Sequence, residues 1–259
     1  MSPVKVFKIG GNVVDNPDAL QRFIREFASI KSPKILIHGG GKEATRLSKR
    51  LDIPTQMIDG RRVTDRDTLD VVTMVYAGLI NKRIVAALQA VGCNALGLTG
   101  ADADCIRATK RPANPVDYGF VGDINPADIN DLYIEYVLRQ DIVPVFCAIT
   151  HDGKGNLLNC NADSVASSAA IATSRIAPVE LIYCFERNGV LRDVDDPDSV
   201  ISIITPSIYE DLRRDNIVAD GMIPKIDNAF NAIKRGVGSV TIKHSDNILS
   251  DIGTTITDA

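Results

Sequence analysis

Two stretches near the N-terminus share one sequence pattern and indicate the fold class: Val4-Lys5-Val6-Phe7-Lys8-Ile9-Gly10-Gly11 and Lys34-Ile35-Leu36-Ile37-His38-Gly39-Gly40-Gly41. Each is a short apolar run that ends in glycines, and each is followed by a segment with helical periodicity. A strand, a glycine turn and a helix, twice in succession, are typical of a parallel sheet covered by helices. In such a sheet the turns meet at the carboxyl ends of the strands, where ligands bind.

The residues at these turns favour a ligand that carries phosphates. Glycine lets the backbone approach a phosphate closely, and a helix start offers unpaired N–H groups and the positive end of a dipole. Lys8 lies at the end of its strand, so its compact cation points at the same place. The alternatives are a tight strand-to-helix connection that binds nothing, and a lysine that is simply solvated.

Length and composition exclude several classes of protein. The chain has 259 residues, enough for one large domain or two lobes with their own cores. Its net charge of −4 argues against a nucleic-acid partner. We expect no membrane partner, because no apolar stretch approaches the roughly 20 residues of a membrane span. The N-terminus has no signal-peptide core, and the five cysteines form no C-x-x-C pair, so we expect a cytoplasmic protein with reduced thiols and no protein-ligated metal.

Helical and strand patterns alternate along the whole chain, which predicts an α/β fold with an open, mainly parallel sheet. We expect a long helix over residues 67–91, a loop-rich excursion over residues 100–127 and one buried strand over residues 142–149. A second unit begins near residue 175. We therefore predict two lobes that share one sheet, residues 1–174 and 175–259.

Two common nucleotide-binding signatures are missing from the chain. No G-x-x-x-x-G-K-[ST] sequence occurs, and no G-x-G-x-x-G with a downstream acidic residue follows the first strand. A P-loop and a dinucleotide site of the Rossmann type are therefore disfavoured, and so is a dinucleotide-dependent oxidoreductase.

Further polar residues lie at junctions between predicted elements. Asp163, in Asn159-Cys160-Asn161-Ala162-Asp163, is either a helix cap or a carboxylate that positions nearby lysines. Lys225, in Asp220-Gly221-Met222-Ile223-Pro224-Lys225, enters a helix, where the dipole disfavours a cation unless an anion binds there. Arg62 is either solvated or part of a clamp for a carboxylate. His38 is either a ligand contact or is satisfied by the backbone.

Six segments, taken in order, resemble the amino-acid kinase family, and within it the N-acetylglutamate kinases of arginine biosynthesis. They are Lys8-Ile9-Gly10-Gly11, His38-Gly39-Gly40-Gly41, Gly60-Arg61-Arg62-Val63-Thr64, Asn159-Cys160-Asn161-Ala162-Asp163, Asp220-Gly221-Met222-Ile223-Pro224-Lys225 and Gly253-Thr254-Thr255-Ile256. The third and fourth segments favour an acylglutamate kinase over other kinases of the same fold.

The resemblance implies a three-layer αβα sandwich, with residues 1–174 as the acylglutamate-binding and dimerisation lobe and residues 175–259 as the ATP-binding lobe. It implies that the substrates are ATP, with Mg²⁺ held through its phosphates, and N-acetyl-L-glutamate or a close N-acyl-glutamate such as N-succinyl-glutamate. The γ-carboxylate of the acceptor would become an acyl phosphate. A homodimer is expected, because the hexameric, arginine-inhibited members carry an extra N-terminal helix and only a few residues precede the first strand here.

The resemblance also implies roles for residues at the motif positions. The catalytic residues would be Lys8 and Lys225, which flank the transferring phosphoryl group, and Asp163, which holds both lysines. Acceptor-binding residues would be Gly40, Gly41, Arg62 and Asn159. ATP would be bound by the two lysines together with Gly10, Gly11, Glu186 and Gly221.

The chain departs from the family pattern at Phe185-Glu186-Arg187-Asn188, where these kinases usually carry Ser/Thr-Asp-Val. We expect altered contacts to adenine or ribose there. Two alternatives stay open. One is another kinase of the fold, of the glutamate 5-kinase or carbamate kinase type. The other is a degenerate, non-catalytic sensor of acylglutamate or nucleotide.

Overall fold

The structure, a computed structural model, describes residues 2–215, 217–218 and 222–258. Its strands are β1 (Val4–Ile9), β2 (Lys34–His38), β3 (Met57–Ile58), β4 (Arg61–Arg62), β5 (Ala95–Leu98), β6 (Thr109–Lys110), β7 (Gly122–Asp123), β8 (Val143–Cys147), β9 (Ile149–His151), β10 (Leu157–Asn159), β11 (Val179–Phe185), β12 (Ile203–Ile204), β13 (Ser239–His244) and β14 (Thr254–Ile256). Its α-helices are α1 (Gly11–Val14), α2 (Pro17–Ser29), α3 (Gly41–Arg50), α4 (Arg66–Thr73), α5 (Asn81–Ala90), α6 (Asp131–Arg139), α7 (Ala162–Thr173), α8 (Pro206–Arg214) and α9 (Ile223–Lys234).

Eight strands form one sheet in the order β12-β14-β13-β11-β1-β2-β8-β5. Strands β13 and β14 are antiparallel, and all other neighbours in this sheet are parallel. The central strands β1 and β2 are almost completely buried, as expected for apolar strands covered on both faces. The predicted open, mainly parallel sheet is confirmed.

Helices cover both faces of this sheet. Helix α2 packs on β1 through edge-on contacts of Phe7 with Phe23 and Phe27, whose ring centroids lie 6.4 and 5.2 Å away. Helices α2 and α5 contact each other on this side, while α6, α7 and α9 form the opposite layer. The predicted three-layer αβα sandwich is confirmed.

The two segments of the chain occupy opposite halves of the sheet. Strands β1, β2, β5 and β8 precede residue 174, whereas β11 to β14 follow it. The halves join at β1 and β11, where Lys8 lies beside Tyr183. The two segments therefore share one sheet. Their assignment as acylglutamate-binding and ATP-binding lobes stays a prediction.

The strand predicted over residues 142–149 is wrong in its extent. Strand β8 ends at Cys147, and β9 pairs with β10 in a separate hairpin. The chain leaves the sheet at Ala148 because the Ala148 carbonyl accepts from the N–H of Cys160 and the Ile149 carbonyl accepts from that of Gly100. This departure carries Asn159 and the start of α7 to the carboxyl edge of the sheet.

The excursion predicted over residues 100–127 contains the antiparallel pair β6–β7 and lies against the strand ends. Its Gly119 bridges Thr64, and the carbonyl of Phe120 accepts from the N–H of Asn159. Gly119 has a φ of +70°, and a Cβ there would lie 2.2 Å from the Thr64 carbonyl oxygen. Glycine is therefore required for this close approach.

A π-helical segment, Met74–Ile80, joins α4 and α5 into one continuous helix over Arg66–Ala90, close to the predicted bounds. By length and composition this helix could cross a membrane, so the prediction that no stretch approaches a membrane span does not hold for it. Within its most apolar 18 residues, 44% of the helix is buried inside the molecule. Buried core helices can be equally long and apolar, so this helix alone is weak evidence for a membrane span.

Candidate active site

Lys8, on β1, is a buried cation at the carboxyl edge of the sheet. The residue is 8% exposed, and its Nζ lies 2.7 Å from Oδ1 of Asp163. The same Nζ lies 5.5 Å from the centroid of the Phe185 ring. A buried ammonium group requires a partner of opposite charge, which Asp163 supplies.

Asp163 is free to pair with Lys8 because another residue caps helix α7. The Asn161 side chain accepts from the N–H groups of Asp163 and Ser164, at 2.7 and 3.3 Å. The interpretation of Asp163 as the helix cap is therefore wrong. The carbonyl of Asp163 also accepts from the Tyr183 hydroxyl at 3.3 Å, which ties the start of α7 to β11.

Lys225 reaches the same ring from the other half of the chain. It lies in the first turn of α9, and its Nζ is 4.0 Å from the centroid of Phe185. Burial lowers the pKa of Lys225. The carboxylates of Asp163 and Glu186 favour the charged ammonium, and the neighbouring Lys8 opposes it. Two ammonium groups from opposite ends of the polypeptide thus lie against one aromatic side chain.

Two cavities meet at this point. The larger one, of about 520 Å³, is lined among others by Lys8, Gly10, Gly11, Gly41, Glu186 and Lys225. The smaller one, of about 210 Å³, is lined among others by Lys8, Gly40, Gly41, Arg62, Asn159 and Asp163. Lys8 and Gly41 border both cavities, so ligands in the two spaces would meet beside the Lys8 ammonium.

Gly40 brings the turn after β2 against the long helix. A Cβ at this position would lie 2.4 Å from Cδ1 of Ile80 and 2.9 Å from Cδ1 of Tyr76. A larger residue here would require the buried side chains of Ile80 and Tyr76 to shift. The next amides begin α3 and have no partner within that helix, so they can donate to a ligand.

Arg62 presents a buried guanidinium group to the smaller cavity. It donates to the Gly41 carbonyl and to the Thr45 hydroxyl, both at 2.8 Å. Among the described residues no carboxylate lies within ion-pair distance of Arg62. A buried cation held by neutral groups retains its attraction for an anion.

Asn159 lies on the same cavity and is coupled to Arg62. Its side-chain amide donates to the Thr64 hydroxyl at 3.0 Å, and that hydroxyl donates to the Arg62 carbonyl at 2.8 Å. Arg62 and Asn159 are thereby held in fixed relation, as a clamp for a polar ligand requires.

His38 is buried and forms a hydrogen bond to the glycine turn that follows β2. Its Nδ1–H donates to the Gly39 carbonyl at 2.8 Å, and the Asn81 amide donates to Nε2 at 3.1 Å and to the Val145 carbonyl. Burial lowers the pKa of His38 to about 4, so the ring is neutral at pH 7. The backbone satisfies Nδ1 of this histidine and the Asn81 side chain satisfies Nε2, and His38 borders neither of the two cavities.

The structure brings together the predicted site residues that it describes, while Gly221 and Asp220 lie outside the described residues. Sequence reasoning missed Tyr76 and Lys42, and it considered Phe185 only for contacts to adenine or ribose. Phe185 is the ring that both lysines contact, Tyr76 lines the smaller cavity, and Lys42 lines the larger one, where its Nζ donates to Asn12 Oδ1 at 2.6 Å. A lysine directly after a glycine turn could have signalled Lys42.

The donor set of the larger cavity suits phosphate oxygens. Within the described residues, no group of three or more His, Cys, Asp and Glu side chains could hold a metal ion. Ammonium and amide donors face the cavity instead, and these bind phosphate. Such a donor set fits a ligand that carries phosphates.

Comparisons with known proteins agree with this architecture. A model of the amino acid kinase family matches residues 3–244. An acetylglutamate kinase from Cytophaga hutchinsonii is 54% identical over 250 residues, which are 96% of this chain and 94% of that protein. Another from Phocaeicola vulgatus is 49% identical, over 97% of both chains. A solved structure of a protein from Streptococcus mutans UA159 has a TM-score of 0.80 and 28% identity over 100% of both chains.

These matches extend over nearly the whole chain and include the segments that form the two cavities. The resemblance carried by the six motifs is therefore confirmed. The chain belongs to the amino acid kinase family, and within it to the group that contains the acetylglutamate kinases.

Proposed function

We propose that this chain transfers the γ-phosphoryl group of ATP to the γ-carboxylate of N-acetyl-L-glutamate, giving an acyl phosphate and ADP. The observation that carries the proposal is the meeting of two cavities at Lys8 and Gly41. One cavity holds a buried arginine suited to a carboxylate, and the other collects donors suited to phosphates. The names of the relatives point to the same substrate.

The smaller cavity would bind the acceptor. Arg62 would pair with the α-carboxylate, and the Asn159 side chain would hydrogen-bond the amide of the acyl group. Arginine suits a carboxylate because its planar donors match the two oxygens. The backbone amides of Gly40 and Gly41 would then face the reacting γ-carboxylate.

The larger cavity would bind ATP. Lys8, Lys225 and the amides of Gly10 and Gly11 would contact the phosphates, with Glu186 and Gly221 at the nucleoside side. Mg²⁺, carried by the phosphates of ATP, would neutralise part of their charge.

The reaction needs relief of charge repulsion more than it needs a base. A γ-carboxylate with a reference pKa of about 4.3 is already ionised at pH 7. One carboxylate oxygen bonds to the γ-phosphorus, and the bond to the bridging oxygen breaks, leaving its electron pair on ADP. Lys8, held by Asp163, would stabilise the migrating group from the acceptor side, and Lys225 from the donor side. One such oriented contact is worth about 2.7–4 kcal/mol, or roughly 10²–10³ in rate.

A homodimer in the cytoplasm is the assembly that we propose. Apolar side chains are exposed at Met74 (54%) and Leu79 (36%) on the long helix, and at Leu96 (36%) on the edge strand β5. Burying them against a second copy would remove apolar surface from water. All five cysteines are free and buried, which suits a reducing compartment. A mass of two protomers by light scattering is expected, and a monomer or hexamer would contradict the proposal.

Steady-state kinetics with MgATP tests the activity. ADP release is measured with N-acetyl-glutamate, N-succinyl-glutamate, glutamate and carbamate, and the acyl phosphate is trapped with hydroxylamine. We expect the highest kcat/KM with N-acetyl-glutamate, and a loss of kcat of at least about 10²-fold in Lys8→Arg. Preference for N-succinyl-glutamate would show that the acceptor carries a succinyl group and not an acetyl group. Preference for glutamate or carbamate would indicate a kinase of the glutamate 5-kinase or carbamate kinase type. Binding of ATP and acylglutamate without turnover would leave only a sensor.

A further inference from the structure

The ring of Phe185 is held by neighbouring elements at the carboxyl end of β11. Phe185 ends β11, where it pairs with His244 of β13. Tyr183, two residues earlier on the same face of the strand, stacks on it with ring centroids 5.9 Å apart and planes 16° from parallel. The Tyr183 hydroxyl in turn donates to the Asp163 carbonyl. Through Tyr183, the ring is connected to helix α7, which carries Asp163, the ion-pair partner of Lys8.

We propose that Phe185 is a positioning residue, whose ring holds the ammonium groups of Lys8 and Lys225 together at the junction of the two cavities. The inference rests on the proposed function and deepens it. Its geometric basis is the pair of contacts at 5.5 and 4.0 Å from the ring centroid. Both fall within the distance of about 6 Å at which the ring quadrupole attracts a cation.

The chemistry explains why a ring suits this place. Two ammonium groups repel each other, and among the described residues Lys8 has an ion pair with Asp163 while Lys225 has none within 4 Å. A second carboxylate against Lys225 would attract it, but it would also repel an incoming polyphosphate. A ring face attracts both cations and carries no net charge, so it orders them without opposing the phosphates.

Fluorination tests the electrostatic role with little change of shape. Replacing Phe185 by 3,4,5-trifluorophenylalanine removes most of the negative potential of the ring face and keeps its size. The matched control places the same residue at Phe27, a core ring with Lys34 Nζ 5.0 Å from its centroid and away from both cavities. We expect kcat to fall about 2- to 30-fold at position 185, with little change in KM for the acceptor, and no change at position 27.

The pH profile of kcat/KM for ATP supplies a second measurement. The groups that face Lys225 are Asp163 on α7, Lys8 on β1 and Glu186 after β11. The ring face favours the charged ammonium, so its fluorination favours the neutral amine. The alkaline limb should therefore move to lower pH by about 0.3 to 1.5 pH units. A role in packing alone would leave this limb in place.

Direct titration separates this proposal from the proposed function. The Lys225 ammonium is followed by NMR in lysine-labelled enzyme without substrates, with Lys225→Arg for assignment. A lower midpoint in the fluorinated protein supports the positioning role even if the wild type fails to phosphorylate N-acetyl-glutamate. The proposal would be overturned if fluorination changed neither kcat, nor the alkaline limb of kcat/KM for ATP, nor the titration midpoint of Lys225. A raised KM for ATP with unchanged kcat would also overturn it, because the ring would then only stack on the nucleotide. Phe185→Leu, which keeps an apolar side chain, should lose as much activity as the fluorinated variant.

Discussion

Asp163→Asn separates the catalytic role of the Lys8–Asp163 pair from its contribution to stability. The change removes one negative charge 2.7 Å from Lys8 Nζ and keeps the size of the side chain and an oxygen that can accept. The cap of α7 is untouched because Asn161 provides it. The Lys8 ammonium loses the charge that orients it, while its surroundings stay in place.

The magnitudes differ for stability and for rate. Breaking a fully buried ion pair costs about 3–5 kcal/mol, whereas an exposed pair contributes about 0–1 kcal/mol. The Lys8 side chain is 10% exposed and that of Asp163 38%, so we expect a loss of about 1–2 kcal/mol in the free energy of unfolding. Loss of an oriented charge in the transition state costs about 2.7–4 kcal/mol, so kcat should fall about 10²- to 10³-fold.

Asp131→Asn is the matched control. Asp131 also lies in the first turn of a helix and pairs with Arg175 at 2.6 Å, with side-chain exposures of 24% and 39%, but it borders neither cavity. The control should lose a similar amount of stability by urea unfolding and keep its kcat in the coupled ADP assay. A kcat within threefold of wild type for Asp163→Asn, or an equal loss of kcat in both variants, would refute the reasoning.

Three further predictions concern other parts of the site. Lys225→Ala should lower kcat by at least about 10²-fold with the fold intact by circular dichroism, and near-normal turnover would remove this lysine from the mechanism. Gly40→Ala forces a Cβ to within 2.4 Å of Ile80 and should cost about 1–3 kcal/mol in thermal unfolding. The matched Gly78→Ala, whose Cβ meets nothing within 4 Å, should not destabilise the protein, and equal losses in both would contradict the steric argument. The folded-state pKa of His38, about 4, lies below its unfolded value of about 6.5, so acid favours the unfolded chain. Stability should fall below pH 6.5, by about 2 kcal/mol at pH 5 in urea titrations, and His38→Gln should show a flatter profile below pH 6.5.

Much of the fold follows from local sequence. Apolar runs that end in glycines and precede helical periodicity predict strands β1 and β2 and the helices after them, because side-chain period and turn chemistry are local properties. The alternation of elements along the chain then predicts a mainly parallel sheet, and a parallel sheet gathers its strand ends at one edge. Lys8, Gly10, Gly40 and Gly41 could therefore be placed near one another from the sequence.

The predictions from the sequence that were wrong concern features set by contacts between distant residues. The apolar run extends over residues 142–149, but strand β8 ends at Cys147. It ends there because the carbonyls of Ala148 and Ile149 accept hydrogen bonds from distant loops. Likewise, nothing local distinguishes Asp163 from Asn161 as the cap of α7. Asn161 and Asp163, two positions apart, have similar capping propensity. Only the tertiary structure, in which Asp163 pairs with a lysine from β1, shows that Asn161 is the cap.

The sequence by itself determined the class of the fold and the kinds of side chain at the strand ends, since both depend on composition and spacing along short segments. Only the tertiary structure decided which of these side chains meet. Lys8 and Lys225 come from opposite ends of the chain, and their contact with Phe185 depends on the register of β1 with β11 and on the position of α9. That register is set by packing of the whole sheet, which no single segment encodes.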